Sequence, residues 1–265
     1  MSRPVVLCLT AFAALLAGCG GGRSAADPTG TPTPVSQAAE TASPAALDSL
    51  WNSAVRHVRH GEWSDAAKLL ERALLEFSPG DPRITEAHYW LGEAYLARGS
   101  HLEAVRELRK ASDETPNHPL APEALLRVGD AYADLWRRPE LDPTYGQTAL
   151  ATYQELLNRY PGSTAAKRAQ LRIAELNERF AYKAYKSALF YSRLKAYDSA
   201  ILYLRDLIAT YPKAAVVPEA LVKLVEAYQR LGYREDVQET CDYIRRFHPK
   251  AAGASEVCPA LAAGA

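Results

Sequence analysis

The sequence predicts an all-α protein, an α-solenoid of five helix-turn-helix repeats with an elongated helix A in repeat 4. Three observations carry that reading: a pattern of small, aromatic, small and proline residues between Ala87 and Pro116, its recurrence along the chain, and two places where the recurrence is stretched. In the first of these segments Gly92 and Tyr95 share an apolar stripe and Gly99 interrupts it. Ala104, Leu108 and Ala111 then form a second stripe that ends at Pro116. Small residues at 92 and 104 let two helices approach closely, and Tyr95 fills the space beside them.

The pattern recurs four more times. The first helix of each unit, helix A, places Ala54, Gly92, Gly129, Ala188 and Val225 at its small position, followed three residues on by His57, Tyr95, Tyr132, Tyr191 and Tyr228. Helix B places Ala66, Ala104, Ala149, Ala200 and Val237 at its own, and Pro79, Pro116, Pro161, Pro212 and Pro249 close the units. These offsets are those of the tetratricopeptide (TPR) repeat. Repeat 1 starts at about Ala46 and turns at Gly61. His57 and His60 are metal-ligand types one turn apart, but His57 fills the slot that is tyrosine in every other repeat, so packing accounts for it and no metal site is expected.

The closing prolines are 37, 45, 51 and 37 residues apart. The excess in the second step lies between Tyr132 and Ala149, which places an insertion, Arg137 to about Thr144, in the loop between the helices of repeat 3. Its two prolines keep it from extending either helix. The excess in the third step lies between Pro161 and Ala188. From about Thr164 to Lys195 no Gly or Pro intervenes, so helix A of repeat 4 is expected as one continuous helix, lengthened by about 21 Å. The expected division is repeats 1–3 over 46–163, repeats 4–5 over 164–249, and a loose tail over 250–265.

The N-terminus is different in kind. Arg3 precedes an apolar run from Val5 to Leu16, too short to span a bilayer, which reads as an export signal over 1–18. It ends in Leu16-Ala17-Gly18-Cys19, which resembles the bacterial lipobox and would make Cys19 the lipidated residue of a membrane-anchored chain. Gly20, rather than Asp, after the cysteine points to the outer membrane. Residues 19–45 are rich in Gly, Pro, Ser and Thr and read as a disordered tether. Cys8 leaves with the signal and Cys19 is the anchor. Cys241 and Cys258 remain, and an oxidising compartment would allow a disulfide between them.

Composition narrows the function. Of 265 residues 48% are hydrophobic and 23% charged, and 31 basic residues balance 31 acidic ones, so no net field recruits nucleic acid. No phosphate-cradling glycine loop, HExxH, CxxC or serine elbow is present, and neither catalysis nor a cofactor is expected. Stacked repeats of this kind offer their helix A faces to extended or helical peptides. By the TPR pattern the positions facing that groove are Trp51, Val55 and Arg59, then Tyr89, Glu93 and Leu96, then Leu126 and Asp130. The alternative for some of these, Trp51 and Leu126 above all, is that they are simply core of the stack.

With the lipobox, tether, five repeats, insertion and long helix in one order, the chain resembles the BamD (YfiO-like) family of outer-membrane β-barrel assembly lipoproteins over about Ala46 to Pro249. The segments LDPTYGQTALATYQELLNRYPGS and FAYKAYKSALFYSRLKAYDSAILYLRDLIATYP carry the resemblance most specifically. It implies a non-enzymatic scaffold at the periplasmic face of the outer membrane. Its implied partners are the POTRA domains of a BamA-like barrel protein, unfolded outer-membrane barrel proteins, and other assembly lipoproteins. Tyr182, Tyr185, Tyr191 and Arg193 lie in the matching region and are the candidates for the POTRA side. The alternative is a periplasmic TPR adaptor for cell-wall or Tol-Pal-type machinery, in which a coiled coil usually precedes the repeats; residues 20–45 have no heptads.

Overall fold

A computed structural model describes residues 43–258. The signal peptide, Cys19, the tether up to residue 42 and residues 259–265 lie outside the described residues. Helices α1 (Pro44–His60) and α2 (Trp63–Glu76) form repeat 1; α3 (Ile84–Ala97) and α4 (His101–Asp113) repeat 2; α5 (Ala121–Leu135) and α6 (Thr144–Arg159) repeat 3. Repeat 4 is α7 (Thr164–Arg193) with α8 (Tyr197–Thr210), and repeat 5 is α9 (Val217–Leu231) with α10 (Arg234–Phe247). A last turn, α11 (Ala254–Val257), follows. From α1 to α10 each helix packs on the next in order, α11 lies against α9, and α5 also touches α3 and α7, so the A helices form a row of their own.

Local chemistry sets the ends of these helices. Ser43 accepts the amide of Ala46 at 3.3 Å and Pro44 follows in the first turn, so α1 begins ahead of Ala46, inside what reads by composition as tether. Ser163 caps α7 in the same way, at 3.0 Å from the amide of Ala166. The turn from helix A to helix B is a left-handed residue seven positions after the small one: Gly61, Gly99 and Gly232, with φ of +72°, +75° and +78°. Lys195 takes that place in repeat 4 at φ +59°, and in repeat 3 it is held by Trp136, where the insertion starts.

All ten small positions are buried. Gly92 does not simply face Ala104. A Cβ placed on it would run into the side chain of Leu108, with Cδ2 at 2.8 Å, so the missing methyl admits the leucine one turn further along α4. On Gly129 a Cβ would meet the ring of Tyr153, with Cδ1 at 2.6 Å.

The two irregularities touch one another. Trp136, fully buried, lies over Gly146 of α6, stacks on Phe180 of α7 at 4.6 Å between centroids, and takes the Arg179 guanidinium at 4.5 Å over its ring. Lys183 of α7 donates to the carbonyls of Glu140 (3.3 Å) and Leu141 (2.8 Å). The insertion is therefore seated on the added length of α7. That helix shares a core with α5 and α6 through Ala165, Ala169, Leu176 and Phe180, and another with α8 and α9 through Ala181, Tyr185 and Ala188. The loose tail expected over 250–265 is corrected for 251–258. Ala251, Ala254, Val257 and Cys258 pack against the last core, and Cys258 is bonded to Cys241.

Candidate functional site

The row of A helices carries a ladder of charge. The Arg127 guanidinium of α5 donates to both Glu93 oxygens on α3, Nε at 2.5 Å and Nη2 at 3.1 Å, and its Nη1 donates to Asp130 at 3.0 Å. Asp130 also accepts from the Tyr153 hydroxyl at 2.8 Å and from Arg172 of α7 at 3.2 Å, and Arg172 reaches on to Glu175 at 3.1 Å. Arg168 pairs with Glu123. Burial alone would lower the Arg127 pKa, but Glu93 and Asp130 outweigh it and raise it. Burial, reinforced by Asp130, likewise raises that of Tyr153.

The predicted groove residues divide accordingly. Glu93 and Asp130 lie in the ladder, joined by Arg127, which sequence reading passed over although it stands three residues before Asp130 on the same helix face. Leu126, 2% exposed, packs with Tyr153 and Leu156, and Tyr89, 8% exposed, packs with Val128 and Ala124. Both belong to the core, which corrects their placement on an open groove. Trp51, Val55 and Leu96 are half-buried, Trp51 meeting Phe77 edge-on at 6.0 Å. Arg59 is exposed and has no ion pair among the described residues. Of the predicted groove residues, the open apolar and cationic ones thus lie in repeats 1 and 2.

The candidates on α7 divide in the same way. Tyr185, 7% exposed, belongs to the core shared with α9, and burial pushes its hydroxyl up to about 12, so it is corrected from surface to packing. Tyr191 is half-buried and stacks on Tyr203 at 5.2 Å. Tyr182 is 41% exposed with Lys186 over its ring, and Arg193 is exposed without an ion pair among the described residues. Beside them Phe190 and Leu194, 49% and 61% exposed, complete an apolar and cationic tip that sequence reading did not single out. Its signal was Phe190 and Leu194 standing off the buried stripe of Ala181, Tyr185 and Ala188.

On the row of B helices a crevice of about 610 Å³ opens between repeats 1 and 2, walled by Leu74, Ile84, Leu91 and Tyr95. At its base the buried Glu107 carboxylate accepts from His88 Nδ1 at 2.8 Å, Arg106 Nε at 2.8 Å and Lys110 Nζ at 3.2 Å. Burial pushes this carboxyl up, yet the three donors outweigh it and hold it down at about 2. With an ordinary value of 4.5 in the unfolded chain, Glu107 contributes stability above about pH 4.5 that is lost as pH falls toward 2. Glu107→Gln is expected to cost about 2–3 kcal/mol at neutral pH and to flatten the acid side of the stability profile. Urea melts at pH 7 and pH 3 check this; equal losses at both would refute the ionic role.

No group of three metal-ligating side chains occurs among the described residues, and none of their helices is long and apolar enough to cross a membrane.

A family model described as YfiO, an outer membrane lipoprotein, matches residues 45–242. Outer membrane protein assembly factor BamD of Vibrio cholerae serotype O1 is 36% identical over 103 residues, 39% of this chain and 43% of that protein. That alignment spans less than half of the Vibrio protein. BamD of Xylella fastidiosa strain 9a5c is 27% identical over 199 residues, covering 70% and 67% of the two chains. BamD of Haemophilus influenzae is 24% identical over 236 residues, covering 85% and 84%. A solved TPR protein of Thermus thermophilus is 22% identical, covering 80% of this chain and 96% of its own, with a TM-score of 0.37.

Proposed function

Because the chain belongs to the YfiO family of outer membrane lipoproteins, we propose that it is a non-enzymatic scaffold and substrate-receiving lipoprotein of the outer-membrane β-barrel assembly machinery, held at the periplasmic face through lipid on Cys19. The observation that carries this reading is the family match from 45 to 242, which runs from repeat 1 into the last helix of repeat 5 and takes in the insertion and the long α7. In it, repeats 1 and 2 receive unfolded barrel proteins. Trp51, Val55 and Leu96 supply apolar contact there, and Arg59 is a cation free for a peptide's terminal carboxylate. The tip of α7, with Tyr182, Arg193, Phe190 and Leu194 open to solvent, docks the POTRA domains of a BamA-like partner.

Gentle detergent extraction of the tagged, full-length chain from its own cells tests this. A POTRA-bearing barrel protein is expected in stoichiometric amount, with recovery falling about tenfold, roughly 1.4 kcal/mol of affinity, for the double variant Tyr182→Ala, Arg193→Glu. Recovery of cell-wall or Tol-Pal components without any barrel protein would overturn the reading.

A further inference from the structure

The described residues past the last repeat enter a helix in the way a further helix A would, for one turn. Helix A starts five residues after the closing proline in repeats 2, 3 and 5: Ile84 after Pro79, Ala121 after Pro116, Val217 after Pro212. Ala254 follows Pro249 at the same distance. The entering turns share one hydrogen bond. Ile84 N donates to Asp81 O at 3.1 Å, Ala121 N to His118 O at 2.9 Å, Val217 N to Ala214 O at 3.0 Å, and Ala254 N to Ala251 O at 3.2 Å. The next bond recurs too, from Ala220 to Val216 at 2.9 Å and from Val257 to Gly253 at 3.3 Å. α11 is thus the first turn of a sixth helix A, stopped where Cys258 turns to extended backbone.

One turn of helix does not hold by itself. This one is held by the bond between Cys258 and Cys241, by Gln229 Nε2 donating to Val257 O at 2.6 Å, and by Gly253 lying against Val222 of α9. The two cysteines occupy informative places. Cys241 stands four residues after Val237, as Leu204 stands after Ala200, and Cys258 four after Ala254, as Leu221 stands after Val217; Leu204 and Leu221 are both in the last core. A covalent bond therefore takes the layer that an apolar pair fills one repeat earlier.

We propose that residues 251–258, built as the first turn of a further helix A, are a covalently fastened clasp that closes over α9 once the cysteines are oxidised. A single turn makes too few contacts of its own to stay ordered, so its hold on α9 is expected to depend on the bond. Closure transfers two electrons and two protons from the thiols of Cys241 and Cys258 to an oxidised disulfide carrier, which leaves as a dithiol; excess dithiothreitol reverses it. The device gives the last repeat its full rigidity only after export to an oxidising compartment.

Hydrogen exchange on the detergent-solubilised full chain tests this, comparing the oxidised protein, the same protein in dithiothreitol, and Cys258→Ser, which leaves the buried residue of the pair in place. Amides of α9 and α10 are expected to exchange at least about tenfold faster in both altered forms, with α3 to α6 unchanged, and Tm to fall by about 5 °C. Unchanged protection of α9 and α10 on reduction, or loosening spread evenly over all repeats, would overturn the proposal. The test needs no partner, so it stands apart from the copurification experiment.

Discussion

Gly129→Leu is expected to destabilise the protein by at least about 3 kcal/mol, the upper end for overpacking a core. The cause is the ring of Tyr153, fully buried and within 2.6 Å of where a Cβ on residue 129 would stand. The ring cannot withdraw without breaking its hydroxyl bond to Asp130, the residue at which Arg127, Arg172 and Tyr153 converge. Gly129→Ala is expected to cost about 1–3 kcal/mol for the same reason. Gly162→Ala is the control, with nothing within 4 Å of its added methyl and an expected change within about 0.5 kcal/mol. Denaturant melts measure all three, and a leucine variant as stable as the parent would remove the repeat register on which the fold is argued.

Trp136→Ala is expected to cost about 3–5 kcal/mol, the range for truncating a buried aromatic side chain. The loss is concentrated at one joint, because the indole is the shared packing surface of the insertion, Gly146 of α6 and Phe180 of α7. Arg179 would lose the ring it lies on, which now compensates a guanidinium whose pKa burial lowers. Beyond the stability loss, the variant is expected to open the insertion to trypsin after Arg137, which is exposed, while Trp136→Phe restores much of the protection. Cleavage rates equal to the parent's in Trp136→Ala would show that the loop is held by the Lys183 contacts to its carbonyls alone.

How far each part was legible follows from the range of the interactions involved. The helix pairs, their turns, the insertion in repeat 3 and the continuity of α7 could be read from the chain, because each depends on neighbours a few residues away. Glycine at a left-handed turn, proline after a helix and a small residue every repeat act through backbone geometry and close packing. The family, too, was legible, because the order of insertion and long helix is a property of the linear sequence. The groove was read less well. Leu126, Tyr89 and Tyr185 fall at positions that face outward in a single repeat, and only the stacking of the next helix buries them.

Periodicity along one helix therefore determined the repeats and their spacing. The tertiary structure alone decided which outward faces remain open. It also decided that Glu93 and Asp130 are joined through Arg127, that the insertion rests on α7 through Trp136, and that 251–258 packs on the last core with Cys258 bonded to Cys241. The physical reason is one of range: a repeat pattern specifies contacts within a unit, whereas burial and charge pairing between units depend on side chains 30 to 45 residues apart, as in Glu93 with Arg127 and Asp130 with Arg172, which no local period brings together.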